Sequence, residues 1–180
     1  MPRNPDATRE RLLSAAQKEF NAQGFLGTDT NRIARRAGYA PQTFYRHFDD
    51  KIAIFLAIYD GWWTAQSEAL NEVLEAPARK GKALAAARIV LDFHVRFRVF
   101  RRSLRYLTVE EPRVRKARAA ARKAQIARLA KGRPKAAMVA ALLTAERLCD
   151  AYADEELADL GVNDKAAVAL VADVMRALTG

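Results

Sequence analysis

The sequence predicts an all-α chain: an N-terminal three-helix helix-turn-helix unit, a long fourth helix, and a larger helical domain beyond it. Three observations carry that expectation. Residues 37–51, AGYAPQTFYRHFDDK, place a glycine suited to ending one helix three residues before a proline suited to starting the next. Apolar residues recur at helical spacing along most of the chain, from Leu12 to Leu178. No segment alternates apolar and polar residues in the manner of a strand.

Taken in order, Leu12, Leu13, Ala16 and Phe20 form one face of a first helix that stops at Gly24. Asp29 is placed to cap a second helix, whose buried side is Ile33, Ala34 and Ala37 and whose end is Gly38. Pro41 then opens a third helix of barely two turns, up to Phe48. Phe44 and Phe48 lie four apart and turn inward together, which leaves Gln42, Thr43, Tyr45, Arg46 and His47 outward. A short helix with an exposed hydrogen-bonding face after a tight glycine turn is the layout whose second helix enters a DNA major groove. Asp49 and Asp50 supply negative charge at the start of a fourth helix. Its apolar stripe runs from Ile52 through Phe55, Tyr59, Trp62, Leu70 and Leu74 to Pro77.

Beyond a short basic linker at Ala78–Lys82, a fifth helix carries Ala86, Val90, Phe93, Phe97, Phe100, Leu104 and Leu107, with a bend expected near Arg101 and a break at Thr108–Pro112. Arg113–Ala130 reads as a basic helix packing through Val114, Ala117, Ala121 and Ala124. Gly132 ends it, and Pro134 starts a helix expected to reach about Leu160. Its segment Ala136–Ala145 is apolar nearly all round, so burial on more than one side is expected. Gly161 and Asn163 precede a last helix with Val168, Val171, Val174, Met175 and Leu178 on one side.

At this point the residues resemble a known family. Thr28, Ile33, Ala34, Ala37 and Gly38, followed by Thr43, Phe44, Tyr45, His47, Phe48 and Lys51 at their spacing, are similar to the TetR family of bacterial transcriptional regulators. The match covers roughly residues 8 to 55. Tyr39 stands where a small β-branched residue is usual, and Ala40 where a Ser or Thr would cap the recognition helix. The resemblance implies a DNA-binding domain at 1–50 and an effector-binding and dimerisation domain at 51–180. Position by position, it implies that Gln42, Thr43 and Arg46 meet base edges. Arg takes guanine O6 and N7 together, Gln takes adenine N6 and N7, and the Thr methyl packs on thymine. Tyr45, Thr30, Lys51 and His47 are assigned to phosphates, and Asn31 to a base or a phosphate. His47 packing on the fourth helix and Lys51 as a solvated charge are the structural alternatives.

The resemblance further implies a small-molecule pocket after Asp60, with Trp62, Trp63, Phe93, His94, Phe97, Phe100, Tyr106 and Tyr152 as its stock. The plain alternative is that these are core aromatics, with His94 a satisfied half-buried histidine. It also implies a homodimer bundled through the last two long helices, with Leu142, Cys149, Val168, Val171, Val174, Met175 and Leu178 at the interface. The alternative is that these helices close the chain's own core. Two-fold symmetry would let two recognition helices read successive major grooves.

The bulk properties are consistent with that class. The 180 residues are 51% hydrophobic and 29% charged, as in a soluble globular protein. The Ala136–Ala145 run is too short to cross a bilayer, and the N-terminus has no signal-peptide core, so no membrane partner is expected. A single cysteine, Cys149, excludes an internal disulfide and fits a cytoplasmic location. The two histidines and one cysteine lack metal-ligand spacing, and no cofactor is expected. Paired carboxylates, a Ser/His/Asp set and a Gly-rich phosphate loop are missing from the sequence, so an enzyme is not expected.

Net charge is +10, which favours a polyanionic partner. Residues 1–60 hold only +2 of it, whereas residues 79–135 carry 19 basic residues against 3 acids. That block reads as a solvated face of long side chains. A sharper reading has Arg96, Arg101, Arg105, Arg115 and Arg118 at a pocket mouth that favours an anionic effector. A third is a second contact to DNA or an acidic protein. The function expected is thus a regulator of transcription on double-stranded DNA, a repressor released by an anionic or hydrophobic effector. The competing class is a sequence-indifferent basic architectural protein.

Overall fold

The computed structural model describes residues 5–76, 81–130 and 132–179. Among these the chain forms ten helices and no strand. They are α1 (Pro5–Gln23), α2 (Thr30–Arg36), α3 (Pro41–Tyr45), α4 (Lys51–Glu75), α5 (Lys82–Arg96), α6 (Arg98–Glu110), α7 (Pro112–Ala130), α8 (Lys135–Ala153), α9 (Glu156–Asp159) and α10 (Asp164–Thr179). The all-α class expected from the sequence is what the chain adopts. The basic linker lies mostly outside the described residues, as does the tip of the N-terminus.

The chain divides into two compact units. The first takes in residues up to Trp63 together with Val99–Ala117. Its core is aromatic: Phe20, Phe25 and Phe55 meet pairwise with ring centroids 5.4–5.8 Å apart, and Phe55 stacks on Phe100 of α6 at 4.6 Å. Offset and edge contacts of this kind add to what area burial contributes. Gly24 ends α1 at φ +70°, and the Ser103 hydroxyl accepts a hydrogen bond from the next amide, Phe25 N–H, at 2.9 Å. Thus α6, although distant in sequence, closes the same core as the first four helices.

The second unit comprises Thr64–Arg98 and Arg118–Gly180. Helices α5, α8 and α10 pack mutually around Ala86, Ala87, Val90, Leu91, Met138, Leu142, Ala145, Cys149, Val168, Val171, Ala172, Met175 and Leu178, all buried. The Arg133 guanidinium donates to the carbonyls of Leu129, Ala177 and Leu178, satisfying the last turns of α7 and α10 at once.

Three expectations about these elements are corrected. The fifth helix breaks at Phe97, where φ is −114° and ψ 23°, and not near Arg101. The break coincides with the change of unit. The apolar spacing continues in register across it, so the pattern could not reveal it. The helix begun at Pro134 ends at Ala153, because Glu155 adopts φ +66°, a left-handed conformation uncommon for a residue with a Cβ. Nor is the apolar run on α8 buried on more than one side within the chain: Met138, Leu142 and Ala145 are buried, while Ala136, Ala137, Ala140 and Leu143 are exposed.

Candidate nucleic-acid interface

The recognition element is assembled by local chemistry. The Asp29 carboxylate accepts from Arg32 N–H at 2.8 Å and caps α2. At the other end Gly38, at φ +81°, donates to Arg35 O, and Tyr39 donates to Ala34 O. This paired arrangement is a Schellman closure, and it turns the chain sharply into α3. Pro41 opens α3; Ala40 before it offers no side-chain cap, as its identity requires. Phe44 and Phe48 are buried with centroids 5.7 Å apart, and the Arg9 guanidinium lies 5.2 Å over the Phe48 ring. A five-residue helix cannot hold itself, so these two rings anchor it.

What that anchoring leaves outside matches the expected reading face. Gln42, Tyr45, Arg46 and Asn31 are exposed, and Thr30, Thr43 and His47 are half-buried. The hydroxyls of Thr30 and Tyr45 are 3.0 Å apart, joining the start of α2 to the end of α3. One hydroxyl proton is used between them, and the other is available to an acceptor such as a phosphate oxygen.

Lys51 is placed differently from the expectation. Its amine donates to the carbonyls of Phe25 (2.9 Å) and Thr28 (2.8 Å) and sits 4.0 Å from the Phe25 ring centroid. Burial lowers its pKa, partly offset by the Asp29 carboxylate. Lys51 ties the α1–α2 loop to the start of α4, so its amine is not a solvated charge.

Glu19 and the Asp50–Arg113 pair escaped sequence reasoning, although Asp50 was expected at the start of α4. Glu19 is 2% exposed, and its carboxylate meets both Arg32 Nε and Arg36 Nη1 at 2.7 Å, fixing α2 against α1. The available signal was a carboxylate on the apolar face of α1, followed by arginines four apart in the next helix. Asp50 accepts from Ala53 N–H at 2.7 Å, capping α4, and also from the Arg113 guanidinium at 2.6 Å. The Arg113 hydrogen bond, with help from that backbone N–H, holds the Asp50 carboxyl below its usual pKa. The start of α7 is thereby fastened two residues after the buried Phe48.

The expected effector residues are divided between the two units. Trp62, Trp63, Phe100 and Tyr106 belong to the first unit, and Phe93, His94, Phe97 and Tyr152 to the second. Trp62 is buried beneath the Arg101 guanidinium, 4.9 Å from its ring centroid, and beside Tyr59 and Trp63. Tyr106 is exposed. Phe93 stacks on Phe97 at 6.4 Å. His94 Nδ1 lies 3.0 Å from the Asp150 carboxylate, and both side chains are buried, so His94 is a fully buried, satisfied histidine. Tyr152 donates to Asp164, which raises the tyrosine pKa and lowers that of Asp164. None of the eight lines the roughly 620 Å³ cavity of the second unit, which lies between α7 and α8.

The expected dimer residues are corrected more sharply. Leu142, Cys149, Val168, Val171, Met175 and Leu178 are all buried in the chain's own core, with Val174 packed against it. The six buried ones present almost no surface to a second copy, whereas Val174 is only partly covered. Nor do the five arginines proposed for a pocket mouth line the cavity: Arg118, for example, is 6% exposed and bonded to Glu146 at 2.7 Å.

Comparison with known proteins bears on the first unit directly. Residues 12–58 match the family described as bacterial regulatory proteins, tetR family. Over 48 residues the chain is 42% identical to the Bacillus subtilis protein described as the uncharacterized HTH-type transcriptional regulator YdgC, covering 27% of this chain and 25% of that one. A Haemophilus influenzae HTH-type regulator is 38% identical over 56 residues, covering 31% of this chain and 27% of that one. The matched segment therefore spans about a quarter of these relatives. The fold extends further: the crystal structure of a TetR-family regulator from a Rhodococcus species superposes with a TM-score of 0.73 at 16% identity, covering 97% of this chain and 100% of that chain.

Proposed function

We propose that the chain is a repressor of transcription that binds a palindromic operator as a homodimer and is released by a small-molecule effector, a reading supported by the match of residues 12–58 to the tetR family. The observation that supports this reading is the recognition element: α3 is anchored by Phe44 and Phe48 and leaves Gln42, Tyr45 and Arg46 exposed on one short turn. Gln42, Thr43 and Arg46 read base edges. Thr30, Asn31, Tyr45 and His47 hold the backbone, because phosphate contacts position without specifying. The functional division stays at residue 50, with the effector and the second copy met beyond it.

The homodimer uses the faces of α8 and α10 turned away from their shared core, where Ala137, Ala140 and Leu170 are exposed. These replace the buried Val168, Val171 and Met175 as the proposed contacts. The architectural alternative is weakened by where the basic block is used. Arg88, Arg98, Arg113, Arg118 and Arg122 all pair with carboxylates of this chain, and Arg133 is bonded to carbonyls. Charge held in such pairs, above all at the buried Arg118, is less available to bind duplex DNA of any sequence.

The test compares the wild type with Gln42→Ala and Arg46→Ala on a selected duplex and on random duplex at one fixed salt concentration. The proposal expects the wild type to prefer the selected site and each variant to lose that preference. Equal affinity for both duplexes would oppose it.

A further inference from the structure

The cavity between α7 and α8 has a composition that no part of the DNA-reading function uses. Its apolar lining includes Ile126, Val139, Leu142 and Leu143, and its volume of about 620 Å³ lies within the range of small-ligand sites. Cations stand at its edge: Arg122, Lys123 and Lys135. No carboxylate is among the lining residues. Arg122 is committed to Glu146 through two bonds, at 3.0 and 2.5 Å. Lys123 and Lys135 have no acidic partner among the described residues, and both are exposed. An apolar trough about 16 Å along α7, from Ala119 to Ala130, rimmed by unneutralised ammonium groups, is complementary to a molecule with an alkyl body and a negative head.

We propose that the α7–α8 cavity binds an amphipathic anion, its alkyl chain on Ile126, Val139, Leu142 and Leu143 and its carboxylate at Lys123 or Lys135. A second copy of this chain is a poorer occupant. In a two-fold contact this patch would meet a copy of itself, and its lining holds no carboxylate to pair with the lysines. The face of α8 assigned above to the homodimer, with Ala137 and Ala140, is a different one from Lys135, Val139 and Leu142. The inference deepens the proposed function and rests on it, since an anion seated here would be the effector.

The test is calorimetric titration of the full chain with sodium decanoate below its micelle concentration, and with decan-1-ol as the neutral analogue, at 0.15 M salt. Decanoate should bind, and decanol more weakly. At least one of Lys123→Gln and Lys135→Gln should weaken decanoate binding about fivefold, the order expected for an exposed charge pair. Val139→Glu should abolish it. These lysines are exposed, so their variants keep the fold, which circular dichroism checks. No decanoate binding, equal binding of decanol, or indifference to both lysine changes would overturn the proposal. So would a Val139→Glu variant that halves the sedimenting mass, because a second copy would then be the occupant. The effector role is read separately: decanoate that binds with these dependences yet leaves affinity for the selected duplex unchanged keeps the site and refutes the effector-release reading.

Discussion

At the scale of single residues, the account turns on which side chains are held and which are free. Arg46 is exposed beside a buried aromatic pair, so Arg46→Ala should cost about 1–3 kcal/mol at one base position and relax specificity there. A selection of preferred sequences for the variant reads this; uniform weakening at every position would make Arg46 a phosphate contact. Asp50 is the opposite case, held by Ala53 N–H and by Arg113. Its carboxyl is lowered below the ordinary 3.8, so its contribution to stability is present above that pH and is lost as pH falls through the depressed value. Asp50→Asn keeps a capping side chain but removes the charge. Urea unfolding should therefore show a smaller stability loss for the variant than for the wild type as pH falls from 5 through that depressed value; identical pH profiles would mean that the Arg113 pair contributes nothing. Lys51 shows what residue-level reading from sequence misses. Its position matched the family motif, but its partners are carbonyls of a loop more than twenty residues earlier, which no local pattern encodes.

At the scale of elements, the helix-turn-helix was legible because its instructions are local. Asp29 caps within three residues, Gly38 closes its own turn, and Phe44 and Phe48 lie one turn apart. Two substitutions test that account by urea denaturation. Ala40 caps α3 with no side-chain bond, so Ala40→Ser should stabilise by about 0.5–2 kcal/mol. Gly38 has open space where a Cβ would sit but a φ of +81°, so Gly38→Ala should cost about 1–2 kcal/mol through backbone strain alone. A neutral Gly38→Ala would remove the reason given for the turn. The breaks at Phe97 and Glu155 were not legible. Each falls where the chain changes its packing partner, while the sequence there holds no glycine or proline to announce it.

At the scale of the whole molecule, helical spacing identified the fold class and composition the charge excess, but neither showed how they are used. The basic block looked like a surface for a polyanion, yet much of it pairs within the chain, and the free lysines edge a cavity that aromatic content did not point to. The core of α5, α8 and α10 likewise claims the residues expected at a dimer interface, because a periodic apolar face does not say whether its partner is the same chain or another copy. The central claim is that a small, nearly neutral reader gives this strongly basic chain its sequence preference. Selection of bound duplexes from a random library by the purified chain at near-physiological salt tests it most directly. The account predicts enrichment of an inverted repeat, lost in Gln42→Ala and Arg46→Ala. Tight binding with no enriched sequence, unchanged by those substitutions, would contradict it.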